Sequence, residues 1–207
     1  MKPFLIPGIC FITGPHPQLA LADQAKLVLK AGIKWVQLRD KECTRERLYC
    51  RAHRLRTLLD KYGAALTIND YPDIALAVDA DSVHLGQDDF PLPDAKKIMG
   101  GKIIGVSTHS LEEAEAAEKD GADYIGFGPI FETKTKDAGK PKGIAQLKEL
   151  RKHISIPTVA IGGIRAENLK DIFKAGADAV AVSGAILEGD VFENAKRFME
   201  ELGRIKK

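Results

Sequence analysis

The sequence predicts an α/β fold, a single (β/α)8 TIM barrel, on three observations. Short β-branched apolar runs alternate with longer stretches of helical periodicity along the whole chain. Eight strand–helix pairs can be counted, and in a chain of 207 residues these close most economically into a barrel. No glycine-rich dinucleotide fingerprint follows an early strand, as an open doubly wound sheet would require. We therefore expect one barrel domain covering residues 1–207.

Each predicted strand is a short apolar run, and each is followed by a stretch with helical periodicity. The predicted strands cover residues 9–13, 35–39, 65–69, 82–85, 103–107, 124–128, 158–161 and 179–183. The predicted helices cover residues 18–31, 44–62, 72–78, 94–99, 111–120, 143–153, 166–175 and 191–202. Strand and helix thus alternate eight times, which is the order of a (β/α)8 barrel.

Three segments of the chain resemble one another: KAGIKWVQL from Lys30, KDGADYIGF from Lys119 and KAGADAVAV from Lys174. Each has a lysine, a glycine two places later and then an apolar strand. The glycine stands where the C-terminus of a helix needs a left-handed residue before the chain enters a buried parallel strand. One supersecondary unit therefore recurs, and no low-complexity linker marks a second domain.

Composition and charge exclude several classes of protein. The 31 basic and 29 acidic residues are spread along the chain for a formal charge of +2, so no basic tract indicates a nucleic-acid or membrane partner. The N-terminal segment MKPFLIPGICFITG is too short and too interrupted for a signal peptide or a membrane helix. Cys10, Cys43 and Cys50 have no CxxC spacing, which favours reduced thiols over disulfides or zinc. We expect a cytoplasmic protein.

Polar side chains follow the second predicted strand, in the stretch QLRDK. In barrels of this class the reactive residues lie at the C-terminal ends of strands and in the loops that follow. Arg39 and Lys41 are therefore candidate diphosphate ligands, the arginine through a bidentate contact and the lysine as a point charge. The alternative is a surface ion pair with Asp40.

Two successive strand ends carry aspartates. Asp70 ends the third strand segment and Asp89 follows the fourth. Adjacent strands lie about 4.8 Å apart, so both carboxylates could approach one hard cation, with water and phosphate oxygens completing the octahedron that Mg²⁺ prefers. The alternative is that aspartates in this region only cap helices.

The sixth strand runs into a loop of hydroxyl groups and lysines. Thr133, Thr135 and Lys136 form a T-x-T-K arrangement that suits anionic ligands, although such a loop could also be merely solvent-exposed. The seventh and eighth strands end in pairs of small residues, Gly162-Gly163 and Ser183-Gly184. Phosphate binding by backbone N–H groups after these two strands is a recurrent feature of the fold.

Two histidines stand near strand ends. His109 follows the fifth strand, where it could act as an acid or base or simply cap the next helix. His84 lies within the fourth strand, and we predict a hydrogen-bonded interior residue there rather than a catalyst.

The motifs QLRDK, IND, HLGQDD, GVSTH, GPIFxTxTK, AIGGI and VSGAI occur in the order and approximate spacing of thiamine phosphate synthases. The chain resembles this family from about residue 11 to residue 202. The resemblance implies that a pyrimidine methyl diphosphate and a thiazole phosphate, or its carboxylated form, are joined to give thiamine phosphate and diphosphate by a dissociative mechanism with Mg²⁺.

The resemblance also implies roles for individual residues. The ligands of the pyrimidine diphosphate would be Gln37, Arg39, Lys41, Asn69, Ser107 and Lys136, and of these Arg39, Lys41, Ser107 and Lys136 would be catalytic. Asp70 and Asp89 would hold Mg²⁺. The thiazole phosphate would be bound by Thr133, Thr135, Gly163, Ser183 and Gly184.

Three departures from the commonest pattern of the family concern the pocket. Tyr71 stands where many members carry arginine, Glu132 where proline is frequent, and Ser183-Gly184 where other members often have serine one place later. Two other functions stay open. One is a thiazole tautomerase, a related barrel in which a histidine at the place of His109 would be catalytic. The other is a non-catalytic barrel that binds a thiamine precursor. The sequence leaves the oligomeric state open, including a homo-oligomer.

Overall fold

The computed structural model describes residues 8–133 and 139–205. Eight parallel strands form one closed barrel in the order β1-β2-β3-β4-β5-β6-β7-β8. The strands are β1 (Ile9–Ile12), β2 (Trp35–Leu38), β3 (Ala65–Asn69), β4 (Ser82–Leu85), β5 (Ile103–Thr108), β6 (Tyr124–Phe127), β7 (Thr158–Ile161) and β8 (Ala179–Val182). All eight predicted strands are present within one residue of their predicted bounds, and the fold class is confirmed.

A helix follows each of the first seven strands along the chain, and two helices follow β8. The helices are α1 (Leu21–Lys30), α2 (Arg45–Tyr62), α3 (Pro72–Ala77), α4 (Leu92–Met99), α5 (Leu111–Lys119), α6 (Gly143–Leu150), α7 (Leu169–Lys174), α8 (Gly184–Leu187) and α9 (Val191–Ile205). The predicted helix at 166–175 is divided into a 3-10 turn at Ala166–Asn168 and α7. No helix in the described ranges is long and apolar enough to cross a membrane.

Two differences from the predicted helices have local causes. α1 begins at Leu21 rather than at residue 18, because His16 Nδ1 accepts hydrogen bonds from the backbone N–H groups of Gln18 (3.1 Å) and Leu19 (3.0 Å), which hold these residues in a turn. α8 follows β8 directly and was not predicted. Four residues are too few to show a helical periodicity.

The recurrent glycine of the three similar segments has the predicted backbone geometry. Gly32, Gly121 and Gly176 have φ angles of 105°, 84° and 101°, a region that side chains with a Cβ rarely adopt. Each allows the chain to leave a helix and turn into the next strand. The cysteines do not form disulfides: Cys10 is buried, Cys43 is part-buried and Cys50 is exposed.

Alternation along the strands divides the core in two, because successive side chains of a strand point to opposite faces. The outer layer packs the strands against the helices and contains most of the buried aliphatic residues. A second cluster is formed by Cys10, Ile12, Trp35, Tyr124, Val159, Ala179 and Ala181. These residues belong to one set of alternate positions, which places them inside the barrel. Gln37, Asn69 and Ser107 continue that set toward the C-terminal ends of their strands.

Candidate active site

The inward-facing positions become polar toward the C-terminal ends of the strands, the end we call the mouth. Gln37 on β2 and Asn69 on β3 are nearly fully buried, and Gln37 Nε2 donates a hydrogen bond of 2.7 Å to Asn69 Oδ1. Both lie two residues beyond an inner-core position on their strand, so the period of the strand places them at the mouth. Their amide groups line the interior where a ligand would enter.

Arg39 is fixed at the mouth through its backbone. Thr13, at the end of β1, is buried, and its Oγ1 accepts a hydrogen bond from Arg39 N (3.0 Å) and donates one to Arg39 O (3.2 Å). These two bonds hold the end of β2 against β1 and so fix the backbone position from which the Arg39 side chain extends. The predicted alternative, a surface ion pair with Asp40, is wrong, because Asp40 pairs with Arg51.

Two carboxylates lie together at the ends of β3 and β4. Burial, a hydrogen bond with Asp89 and the charge of Asp89 raise the pKa of Asp70 from 3.8 to about 6. Lys41 and Arg39 act in the opposite direction, and Lys41 Nζ lies 3.8 Å from Asp70 Oδ2. Two cations and two carboxylates from the ends of β2, β3 and β4 therefore converge at one mouth of the barrel.

The backbone around the carboxylates is also specialised. Asp70 has a positive φ of 68°, and its N–H donates to the carbonyl oxygen of His84 (2.8 Å). Asp89 Oδ2 accepts a hydrogen bond of 2.6 Å from the N–H of Gly86, which closes a short turn. A Cβ at Gly86 would lie 2.8 Å from that same oxygen, so only glycine leaves room for the turn.

This pair of carboxylates fits a magnesium ion by its donor chemistry. Both residues offer hard oxygen ligands, and a bound cation would offset the burial and the charge of Asp89, which together raise the pKa of Asp70. In the described part of the chain, no cluster of three or more His, Cys, Asp or Glu residues could hold a metal. A pair of carboxylates is nevertheless enough for Mg²⁺, which commonly keeps several waters and is bound through one or two carboxylates plus substrate phosphates.

A cavity of about 470 Å³ adjoins the carboxylates on the side of α3 and α4. Arg45 stacks over the ring of Tyr71, 5.0 Å from its centroid, and pairs with Asp73. The ring of Tyr71 thus brings the guanidinium of Arg45 to the same edge of the site.

On β5, the polar inward-facing residue at the mouth is Ser107. Its Oγ lies 2.8 Å from His84 Nε2, and His84 Nδ1 lies 3.0 Å from the hydroxyl of Tyr124 on β6. Burial lowers the pKa of His84 to about 4, so the imidazole is neutral at pH 7. The prediction that His84 is a hydrogen-bonded interior residue is confirmed.

The opposite side of the mouth is built from glycine-rich turns after β7 and β8. Gly163 has a φ of 65°, and a Cβ there would lie 2.4 Å from the carbonyl oxygen of Glu132, so the loop after β6 packs closely on this turn. Within the described residues, the backbone N–H groups of Gly163, Ser183 and Gly184 make no hydrogen bond to another backbone group. They are available to an anion.

Thr133 is part-buried at the end of the described stretch before the loop. Thr135 and Lys136 lie outside the described residues, so their expected roles stay predictions. His109 is exposed at the rim. Its Nδ1 lies 3.1 Å from Glu113 Oε2, and its backbone N–H donates to the same oxygen (2.7 Å), while Ser110 rather than His109 caps α5.

Sequence reasoning missed Thr13, Gln87 and Tyr124 as parts of the site. The signal for Tyr124 was available, because it lies two residues before the inward position of Gly126 on β6. Gln87 donates a hydrogen bond of 2.6 Å from Nε2 to the carbonyl oxygen of Ser107. That contact, like the one between Thr13 and Arg39, joins neighbouring strands and depends on their register, which the sequence does not state.

Comparison with known proteins agrees with this geometry. The family described as thiamine monophosphate synthase matches residues 9–186. A thiamine-phosphate synthase of Shouchella clausii is 47% identical over 186 residues, covering 88% of each chain, and one of Clostridium novyi is 42% identical over 203 residues, covering 97% of this chain and 98% of the other. A solved thiamine phosphate pyrophosphorylase from Pyrococcus furiosus superposes with a TM-score of 0.90 at 35% identity, covering 97% of this chain and 98% of that one. The chain belongs to the thiamine monophosphate synthase family.

Proposed function

We propose that this protein is a thiamine-phosphate synthase that joins 4-amino-2-methyl-5-hydroxymethylpyrimidine diphosphate to a thiazole phosphate, or its carboxylated form, and releases diphosphate. The observation that carries the proposal is the convergence of Arg39 and Lys41 with Asp70 and Asp89 at one mouth of the barrel. A site with both cations and a paired carboxylate suits a diphosphate leaving group that arrives with a metal ion.

The reaction exchanges one bond for another. The bond between the pyrimidine methylene carbon and the diphosphate oxygen breaks with its electron pair going to oxygen, and the thiazole nitrogen then donates a pair to the carbon. Arg39 and Lys41 stabilise the negative charge that develops on the leaving oxygen, and Lys136 is proposed to do the same. Gln37, Asn69 and Ser107 bind and orient the pyrimidine diphosphate, so no covalent enzyme nucleophile is needed.

Asp70 and Asp89 would hold Mg²⁺, which when bound supplies further positive charge against the diphosphate. Without it, the two carboxylates would repel the leaving group. The nearby Lys41 and Arg39 favour the charged form of Asp70, but burial and Asp89 outweigh them, so the pKa of Asp70 is raised. We therefore propose that turnover requires the divalent ion.

The thiazole phosphate is proposed to bind on the opposite side of the mouth. The backbone N–H groups of Gly163, Ser183 and Gly184, which make no backbone hydrogen bond within the described ranges, suit a phosphate, and the hydroxyl groups of Thr133 and Thr135 are proposed to add donors. The two anionic ligands would thus approach from different sides, with the diphosphate near β2 to β4 and the phosphate near β7 and β8. In this arrangement the reacting carbon and nitrogen would meet between the two anion sites.

The test is a coupling assay with purified protein, both substrates and Mg²⁺. We expect thiamine phosphate and inorganic diphosphate in equal amounts, measured by chromatography and by a phosphate assay after hydrolysis of the diphosphate with added pyrophosphatase. Removal of Mg²⁺ with a chelator should abolish product formation, and adding it back should restore it. Tautomerisation of a thiazole carboxylate phosphate without coupling would instead support the tautomerase alternative, whose structural support is the exposed pair of His109 and Glu113. Binding of both substrates without either reaction would support a non-catalytic barrel.

Three expectations from the sequence stay predictions. They are a barrel domain extending over all of residues 1–207, a cytoplasmic location, and the absence of nucleic-acid or membrane partners. Small-molecule substrates fit the proposed reaction, and a homo-oligomer remains open.

A further inference from the structure

A chain of three side chains leads from the barrel interior to the mouth. Tyr124 is 1% exposed and His84 is 9% exposed, whereas Ser107 is only part-buried. The Tyr124 hydroxyl lies 3.0 Å from His84 Nδ1, and His84 Nε2 lies 2.8 Å from Ser107 Oγ. The proposed function gives a role to Ser107 alone and leaves the two deeper groups unexplained.

The direction of the hydrogen bonds follows from the partners of Tyr124. Among the described residues, His84 Nδ1 is the one hydrogen-bond partner found for its hydroxyl. A buried hydroxyl proton without an acceptor is costly, so the phenol must donate to Nδ1. A neutral imidazole carries a single proton, which is then on Nε2 and is donated to Ser107 Oγ. The proton of the Ser107 hydroxyl is left for an acceptor in the mouth.

Ser107 is also fixed from a second direction. Gln87, in the loop after β4, donates from Nε2 to the carbonyl oxygen of Ser107 at 2.6 Å. His84 thus restrains the hydroxyl of Ser107, and Gln87 restrains its backbone. A hydroxyl that is restrained in this way loses less freedom when a ligand binds.

Two glycines leave room inside the barrel for the rings of Tyr124 and His84. A Cβ at Gly105 would lie 2.0 Å from Tyr124 Cζ, and a Cβ at Gly126 would lie 3.1 Å from His84 Cε1. The aromatic ring of Tyr124 therefore occupies space that any other residue at position 105 would fill. Its edge packs against Trp35, with ring centroids 5.6 Å apart.

We propose that Tyr124 and His84 are positioning residues that hold the Ser107 hydroxyl as a hydrogen-bond donor to the pyrimidine diphosphate. This inference rests on the proposed function for the identity of the ligand. The direction of the hydrogen bonds does not depend on the proposed function, because it can be measured on the free protein.

The first test is the tautomer of His84, read from long-range ¹H–¹⁵N spectra of protein labelled in its histidines and assigned with His84→Gln. We expect the wild type to carry its proton on Nε2 and Tyr124→Phe to lose this preference, because the phenylalanine keeps the ring but cannot donate to Nδ1. A proton on Nδ1 in the wild type would overturn the proposal, as would an unchanged tautomer in Tyr124→Phe. Neither result depends on turnover, so a failure of the proposed function would be seen separately, as wild-type protein that forms no thiamine phosphate.

The second test is a double-mutant cycle on kcat/KM for the pyrimidine diphosphate. Tyr124→Phe should lower kcat/KM about tenfold, the value of one ordinary hydrogen bond. In a Ser107→Ala background the same change should matter less than about twofold, because the tyrosine then has no hydroxyl to position. Additive losses would indicate a purely structural role and would contradict the proposal.

Two further variants complete the design. His84→Gln, whose carboxamide can still donate to Ser107, should retain several times the kcat/KM of His84→Leu, and equal activities would count against the proposal. Thr67→Val is the matched control. It removes a buried hydroxyl from the same barrel interior, where Thr67 Oγ1 contacts Trp35 Nε1 (2.7 Å) and Ser82 Oγ (2.6 Å), away from Ser107. It should lower the melting temperature and leave kcat/KM unchanged; a loss of kcat/KM equal to that of Tyr124→Phe would overturn the assigned specificity.

Discussion

Aspartates lie at both ends of the barrel, and their surroundings differ. At the N-terminal end, Asp81, Asp123 and Asp178 stand just before β4, β6 and β8, and each accepts a hydrogen bond from a backbone N–H near the start of the preceding strand, at 2.7, 2.8 and 2.8 Å. At the mouth, Asp70 and Asp89 lie close together, and the pKa of Asp70 is raised by burial and by its neighbour.

The contrast separates residues that stabilise the fold from those that prepare it for a ligand. Each N-terminal carboxylate satisfies a backbone donor of the adjacent strand, so it ties two βα units together. The carboxylates at the mouth are part-buried and carry like charges, which is unfavourable even with Lys41 and Arg39 nearby, and a bound cation would relieve it. We therefore expect the mouth to contribute less than the N-terminal end to the stability of the free protein, as is common for a binding site.

The largest expected effect follows from removing a carboxylate at the mouth. Asp70→Asn should lower kcat by roughly 100-fold or more, because stabilisation of the leaving group is lost. The same change should leave the free energy of unfolding of the metal-free protein unchanged or increase it, since the repulsion with Asp89 is relieved. Steady-state kinetics and urea denaturation test both parts, and wild-type turnover in this variant would refute the role of Asp70.

The matched change at the other end should have the opposite profile. Asp81→Ala removes the acceptor of Leu66 N and the partner of Arg56, whose Nη1 lies 2.6 Å from Asp81 Oδ2. We expect a loss of about 1–3 kcal/mol in the free energy of unfolding with little change in kcat. A variant of normal stability but low turnover would show that the two ends are not separated in this way.

A smaller effect is expected in the pH dependence of stability. The folded pKa of Asp70, about 6, lies above its ordinary value of 3.8, so its contribution is fully present below pH 4 and is lost as pH rises through 6. His84 acts in the opposite direction: its pKa is lowered from 6.5 to about 4, so its contribution is present above pH 6.5 and is lost as pH falls through 4.

The contributions of Asp70 and His84 to the pH dependence of stability partly cancel in the wild type. The free energy of unfolding must therefore be compared between the wild type and a variant. The free energy of unfolding of the wild type minus that of Asp70→Asn should fall as pH rises from 4 to 7 in metal-free buffer. Addition of Mg²⁺ at pH 7 should reverse the trend, because the ion binds the wild type better. A difference that is flat with pH would contradict the raised pKa of Asp70.

The smallest effect is expected at the rim. His109→Asn should lower the rate of synthesis only a few-fold, because the imidazole is exposed and contacts Glu113 rather than the polar residues inside the mouth. Complete loss of coupling activity, measured under the same assay conditions, would show that His109 has a direct chemical role. Retained tautomerisation in a protein without coupling activity would point to the tautomerase alternative.

Local patterns were enough for the elements of the fold and for part of the site. Apolar runs and glycine punctuation located all eight strands, and the rule that parallel strands present their C-terminal ends together brought Arg39, Lys41, Asp70 and Asp89 into one hypothesis. The start of α1 was wrong because His16 acts through a side-chain hydrogen bond. α8 was missed because it is too short to show a periodicity.

The sequence by itself determined the strand–helix alternation, the glycines with positive φ and the polar strand ends, because these depend on residues that are near one another in the chain. Only the tertiary structure decided which polar groups meet. Tyr124 and His84 are 40 residues apart, and Thr13 and Arg39 are 26 apart. Such contacts are fixed by the register and closure of the barrel, which bring side chains of different strands within hydrogen-bond distance and are not encoded in any single local pattern.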